Sequence, residues 1–289
     1  MKLLRYGPAG QEKPGLLDND GNIRCLAQHV DDIGGSVISD ESIARLRELD
    51  TNTLPLVNGD QRLGPCVGNV GKFLCIGLNY SDHAAESGMP LPSEPEVFTK
   101  ATSAICGPDD DIIQPLNSDK LDWEVELAIV IGKHTSYVSE EDASSHIAGY
   151  CVCNDVSERT FQLEKGKQWD KGKGCDTFGP IGPWLVTRDE VENPLDLNMW
   201  LEVNGHRYQD GNTRTMAFGP AFIVSYLSQF MSLQPGDVIS SGTPPGVGLG
   251  QKPPVYLAVG DKIKLGIDGL GKQSQTVVAL IPENTDVMG

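Results

Sequence analysis

The chain has no Cys-x-x-Cys pair, no apolar run long enough to span a bilayer and no surplus of positive charge. Each absence excludes something. Seven cysteines, an odd number at scattered spacings, do not form a disulfide framework or a zinc knuckle and read as reduced and structural. The first eight residues, Met1 to Pro8, contain no apolar signal core, which predicts a cytoplasmic protein. The formal net charge of −17 repels nucleic acid and anionic membranes, so neither is expected as a partner. There is no internal repeat and no low-complexity tract.

What is present points to a strand-rich globular chain. It has 289 residues, 39% of them hydrophobic, with 33 glycines and 19 prolines marking many turns. Residues 1–70 read as a small N-terminal α/β module. It starts with a strand at Lys2–Tyr6, and an Asp-Gly turn then joins Gly15–Leu17 to Ile23–Leu26. A helix over Glu41–Leu49 follows, capped by Ser39 or Asp40. Residues 71–289 read as a larger β-rich domain. Short strands are predicted at Phe73–Gly77, Val97–Thr99, Ile147–Asn154 and Val238–Ser240, a helix over 156–164, a polar loop over Lys165–Gly174 and an apolar helix at Phe222–Met231.

The stretch Leu121 to Gly132 carries the strongest chemical signal. Its second half is a continuous apolar run, as in a buried strand. At a period of two, Glu124 and Glu126 share one face while Val125 and Leu127 point to the other. Two adjacent carboxylates beside a buried strand need a cation. A divalent metal with hard oxygen ligands, such as Mg²⁺, Mn²⁺ or Ca²⁺, would serve, as would a lysine, an arginine or simple solvation.

Other groups could join them. Asp155 closes a buried strand, and a helix beginning there would place Asp155, Arg159 and Gln162 on one face. His83 precedes Glu86 by three residues, a spacing at which a carboxylate can orient an imidazole as a general base. Lys173 is flanked by glycines that allow close approach of a ligand. The Ser241-Gly242-Thr243-Pro244-Pro245-Gly246 turn has prolines where a dinucleotide motif would start its helix, so it reads as a structural loop offering N–H groups and the Thr243 hydroxyl.

In their order and spacing, five segments resemble the fumarylacetoacetate hydrolase family. They are Gly77 to His83, Asp122 to Leu127, Asn154 to Arg159 with Gln162, Lys173, and Ser241-Gly242-Thr243. The resemblance spans roughly residues 71–281. It implies an α+β, β-rich fold, a mixed β-roll usually assembled as a homodimer. It also implies Mg²⁺ or Mn²⁺ on Glu124, Glu126 and Asp155, and a water-activating His83–Glu86 dyad on a lid. Lys173 would stabilise an enolate, and Arg159, Gln162 and Thr243 would hold the substrate. The opening segment from Met1 to Asp18 is similar to a branch acting on sugar-acid breakdown products, among them 2,4-diketo-3-deoxy-L-rhamnonate and -L-fuconate hydrolases. The activity implied is hydrolysis of the C3–C4 bond of a 2,4-diketo acid to pyruvate and a second acid such as lactate. The same site could decarboxylate oxaloacetate or hydrate or tautomerise a 2-keto acid. A third possibility is a non-catalytic protein that metal merely stabilises.

Overall fold

The computed structural model describes residues 1–82 and 90–281. Its folding unit is a mixed α+β, strand-rich arrangement. Nine strands lie side by side in the order Ile23–Cys25, Lys13–Leu17, Lys2–Tyr6, Gly179–Thr187, Ile147–Asn154, Val125–Ile131, Val238–Ser240, Phe73–Gly77 and Glu96–Lys100. A tenth, Ile105–Cys106, pairs in parallel with Gly179–Thr187. The N-terminal strands therefore continue the sheet of the larger part, because Lys2 and Leu3 pair with Val186 and Leu185. A second sheet is ordered His206–Asn212, Asn198–Val203, Lys262–Ile267, Gly271–Ala279 and Ile112–Gln114.

The alternation of Val125–Ile131 divides two hydrophobic cores. Val125, Leu127, Ile129 and Ile131 face one core with Trp123, Val152 and Leu265. Ala128 and Val130 face the other, built with Leu3, Leu16, Phe73 and Cys151. All seven residues of this strand are buried, which is why it reads as a run rather than an alternation. Burying each such aliphatic side chain contributes ~1.5–3 kcal/mol. Among the described residues no helix is long and apolar enough to cross a membrane.

Two helices depart from the sequence reading. The segment after Asp155 first spends Ser157–Glu158 in a two-residue strand against Leu121–Asp122, and the helix runs only over Arg159–Leu163. Glu158 caps it through the Phe161 N–H, so Asp155 lies outside the helix. Within the expected polar loop, Asp170–Lys173 forms one helical turn, held because Asp170 Oδ1 accepts from Thr99 N at 2.9 Å.

The loop after Val238–Ser240 depends on one glycine. Gly246 has φ of +106°, and a Cβ there would lie 1.9 Å from the Tyr208 carbonyl oxygen. Gly246→Ala should destabilise the protein by more than ~2 kcal/mol, read as a lower midpoint in chemical denaturation. An unchanged midpoint would show that the loop relaxes freely.

Candidate active site

The carboxylate cluster is a product of strand register. Asn154 lies opposite Val125 and Cys153 opposite Glu126, so Asp155 arrives beside Glu124. Asp155 N donates to Glu124 O at 2.9 Å, and Glu124 N donates to Asn154 Oδ1 at 3.1 Å. Asn154 is in turn fixed by donating to Gln275 Oε1 on the second sheet. Glu124, Glu126 and Asp155 are all buried, and one ligand oxygen from each lies within 4.8 Å of the others. The two glutamates share a face, as the strand period requires.

Cations surround them. Lys173 Nζ donates to Glu124 Oε2 and to Asp155 Oδ2, each at 2.6 Å. Arg159 donates to Glu124 Oε1 at 2.6 Å, to Asp122 Oδ2 at 2.8 Å and to the Gln162 amide oxygen at 2.9 Å. Arg159 and Gln162 thus share one helical turn, and Asp155 joins them through the chain reversal rather than through a common helix. Asp122 also accepts from the N–H groups of Gly248 and Leu249, which ties the arginine to the loop after Gly246. Glu126 Oε2 accepts from Ser240 Oγ at 2.6 Å and Gly242 N at 2.8 Å.

Lys100 completes the cluster, and nothing in its local sequence announces it. Its side chain is fully buried and its Nζ lies 2.5 Å from Asp155 Oδ1. It ends a strand that is otherwise largely exposed, Glu96–Lys100. Thr243 is present but engaged: its hydroxyl donates to Val125 O at 2.9 Å and accepts from Gln209 Nε2 at 2.7 Å. His83 and Glu86 lie outside the described residues.

Charge decides what this cluster can hold. Among the described residues, Lys100, Arg159 and Lys173 face Asp122, Glu124, Glu126 and Asp155, three cations to four carboxylates. The strain falls on Glu126. Burial, with Asp155 and Glu124 beside it, pushes its carboxyl well above the usual 4.5. Glu124 is also desolvated, but Lys173 and Arg159 outweigh burial and hold it down at about 2. Three hard oxygen donors with a missing counter-charge fit a divalent cation such as Mg²⁺ or Mn²⁺. With it the cluster carries one net positive charge, suited to a carboxylate substrate.

The Glu126 shift fixes the sign of the pH dependence. In the metal-free protein the protonated form favours the fold. That contribution is complete below about 4.5 and is lost as pH rises through the folded value. A metal competes with this proton, so its affinity should weaken, and its binding should release protons, as pH falls through the raised Glu126 value. Titration calorimetry in two buffers of different ionisation enthalpy checks this. Equal heats in both across the acid range would contradict a raised Glu126 carboxyl.

A cavity of about 620 Å³ opens onto the cluster. Its polar end is lined by Glu124, Glu126, Arg159, Gln162, Lys173 and Thr243. The arrangement can chelate through a metal, hold an anion and stabilise negative charge that develops during a reaction.

Residues 72–278 match the profile of the fumarylacetoacetate (FAA) hydrolase C-terminal family. A Burkholderia multivorans protein whose name suggests a hydrolase, without a substrate, is 66% identical over 95% of this chain and 98% of its own. The fumarylacetoacetate hydrolase of psychrophilic Exiguobacterium antarcticum superposes with a TM-score of 0.84 at 35% identity, over 97% of this chain and 100% of that one. A maleylpyruvate hydrolase from Sphingobium sp. SYK-6, solved with manganese(II) and pyruvate, gives 0.80 at 29% identity over 96% and 99% of the two chains.

Proposed function

Because the chain belongs to the fumarylacetoacetate hydrolase family, we propose that it is a metal-dependent hydrolase that cleaves the C3–C4 bond of a 2,4-diketo acid. The products would be pyruvate and a carboxylic acid. A 2,4-diketo-3-deoxy sugar acid, such as the L-rhamnonate or L-fuconate derivative, is the proposed physiological substrate, with lactate as the second product. The proposal includes assembly as a homodimer. The observation that carries it is the buried Glu124–Glu126–Asp155 triad, which with Asp122 outnumbers by one the cations beside it among the described residues. A structural relative solved with manganese(II) and pyruvate supports the same ligands here.

The residues divide the work. A divalent metal on the triad would polarise the 2-keto oxygen and fix the substrate head. Arg159 and Gln162, at the polar end of the cavity, would orient the 1-carboxylate. His83, held by Glu86, would take a proton from water, which adds to the C4 carbonyl. The C3–C4 bond then breaks with its electron pair leaving as the pyruvate enolate. The Lys173 ammonium sits in the cluster where it can hold that enolate charge, and a proton at C3 completes pyruvate. The Lys100 ammonium fixes Asp155 from behind.

Decarboxylation of oxaloacetate is the competing reading. It is favoured by the fact that the described cations suffice for an enolate and need no activated water. A pyruvate-release assay coupled to lactate dehydrogenase separates the two. Acylpyruvates and diketo sugar acids should give pyruvate plus one equivalent of a second acid, with Mg²⁺ or Mn²⁺ and not with chelator. Pyruvate from oxaloacetate alone, with CO₂, would overturn the hydrolase. Metal-induced stabilisation with no turnover of any 2-keto acid would leave a binding protein.

A further inference from the structure

The cavity has two chemically distinct ends. Beyond the carboxylate cluster its wall is formed by Leu78, Phe98, Leu163, Trp169, Val247 and Leu249. Phe98 and Trp169 meet edge to face at 5.3 Å. The Lys173 ammonium lies 5.2 Å from the Phe98 ring centroid, so the aromatic wall starts one short step from the charged end.

Two short elements each carry one cation and one aromatic group at fixed offsets. On the strand Glu96–Lys100, Lys100 and Phe98 are two apart and share a face. Around the helical turn Asp170–Lys173, Trp169 and Lys173 are four apart and share a side. The Thr99–Asp170 hydrogen bonds pin these elements together, at 2.9 Å from the backbone N–H and 2.8 Å from the hydroxyl. The indole needs a glycine beside it, since a Cβ on Gly77 would lie 2.7 Å from its ring.

Charge at this end argues against an anionic tail. Among the described residues, the buried cations of the cavity lining, Arg159 and Lys173, are both committed to the carboxylate cluster. Lys252 is exposed, Glu96 at the rim is negative, and the Gln251 amide donates to Val247 O at 3.2 Å.

From this placement we infer that Phe98, Trp169 and Leu249 form a specificity subsite for an uncharged acyl group ending in a methyl or short alkyl chain. A substrate ending in a second carboxylate is disfavoured. The inference rests on the reading that the 2-keto acid head occupies the carboxylate–lysine end. A 6-deoxy sugar acid, whose far end is a methyl group, satisfies both.

Binding of simple 2-keto acids to the Mg²⁺-loaded protein tests the subsite without requiring hydrolysis. Calorimetric Kd should tighten roughly four-fold for each methylene from pyruvate through 2-oxobutanoate and 2-oxopentanoate to 2-oxohexanoate. 2-Oxoadipate, with a terminal carboxylate on the same length, should bind at least about ten-fold more weakly than 2-oxohexanoate. Trp169→Ala should flatten the chain-length series. Leu249→Lys, at a partly exposed loop position, should reverse the preference toward 2-oxoadipate. That pattern supports the subsite even if no acylpyruvate is cleaved. Chain-length-independent binding, or a wild-type preference for 2-oxoadipate, overturns it while leaving a metal-dependent hydrolase standing. Failure of pyruvate itself to bind the metal-loaded protein removes the head-group reading and the subsite with it.

Discussion

Asp155→Ala should cost the protein both its turnover and a large part of its stability. Asp155 is fully buried and takes one lysine on each carboxylate oxygen, Lys100 on Oδ1 and Lys173 on Oδ2. Deleting it leaves two buried ammonium groups facing a reduced set of carboxylates. Breaking a buried ion pair from one side costs ~3–5 kcal/mol, which in a chain of this size lowers the calorimetric melting temperature by roughly 5–15 °C. The same change removes one of three metal oxygens. Losing the several kcal/mol a metal supplies to charge stabilisation should reduce kcat by roughly 10³-fold or more. Mg²⁺ should raise the melting temperature of the wild type and fail to do so for the variant. A variant that melts like the wild type and still gains stability from Mg²⁺ would remove Asp155 from the site.

His83→Ala should cost turnover alone. Loss of a general base costs about 10²–10⁴-fold in turnover. The carboxylates that would hold the metal, Glu124, Glu126 and Asp155, belong to other segments, so metal affinity and melting temperature should stay within error of the wild type. Measuring kcat and the Mg²⁺-dependent melting shift on the same preparation separates the two roles. A His83 variant that cleaves diketo acids at the wild-type rate would remove His83 from the mechanism.

How much of the site was legible follows from which contacts are local. Glu124 and Glu126 were readable because a strand's period of two needs no tertiary information. The position of Asp155 was readable as a strand end, but its route into the cluster was not. A helix starting at Asp155 looked sufficient, whereas Ser157–Glu158 pairs with Leu121–Asp122 before the helix begins. That pairing is long-range and invisible to periodicity. Lys100 was missed for the same reason. Its neighbours Glu96, Val97 and Thr99 are exposed, and its burial comes from distant residues: Phe73 opposite it in the sheet, the Val156 carbonyl and the Phe178 ring. Asp122 reads as the flank of the Glu-x-Glu motif, yet it organises Arg159 and the Gly248–Leu249 amides. The strand at Lys2–Tyr6 and the helix with Ser39 as its cap were legible. The pairing of Lys2–Tyr6 with Gly179–Thr187 was not, because both partners are ordinary apolar strands.

The central claim is that water, not loss of CO₂, completes the cleavage. Acetylpyruvate should therefore be turned over in oxygen-18 water and the coproduct analysed by mass spectrometry. The expected result is pyruvate and acetate in equal amounts. The acetate should carry one solvent oxygen beyond that introduced by exchange of the free ketone, and its formation should stop when the metal is chelated. Acetate lacking that additional oxygen, or no acetate at all alongside pyruvate and CO₂ from oxaloacetate, would contradict the account.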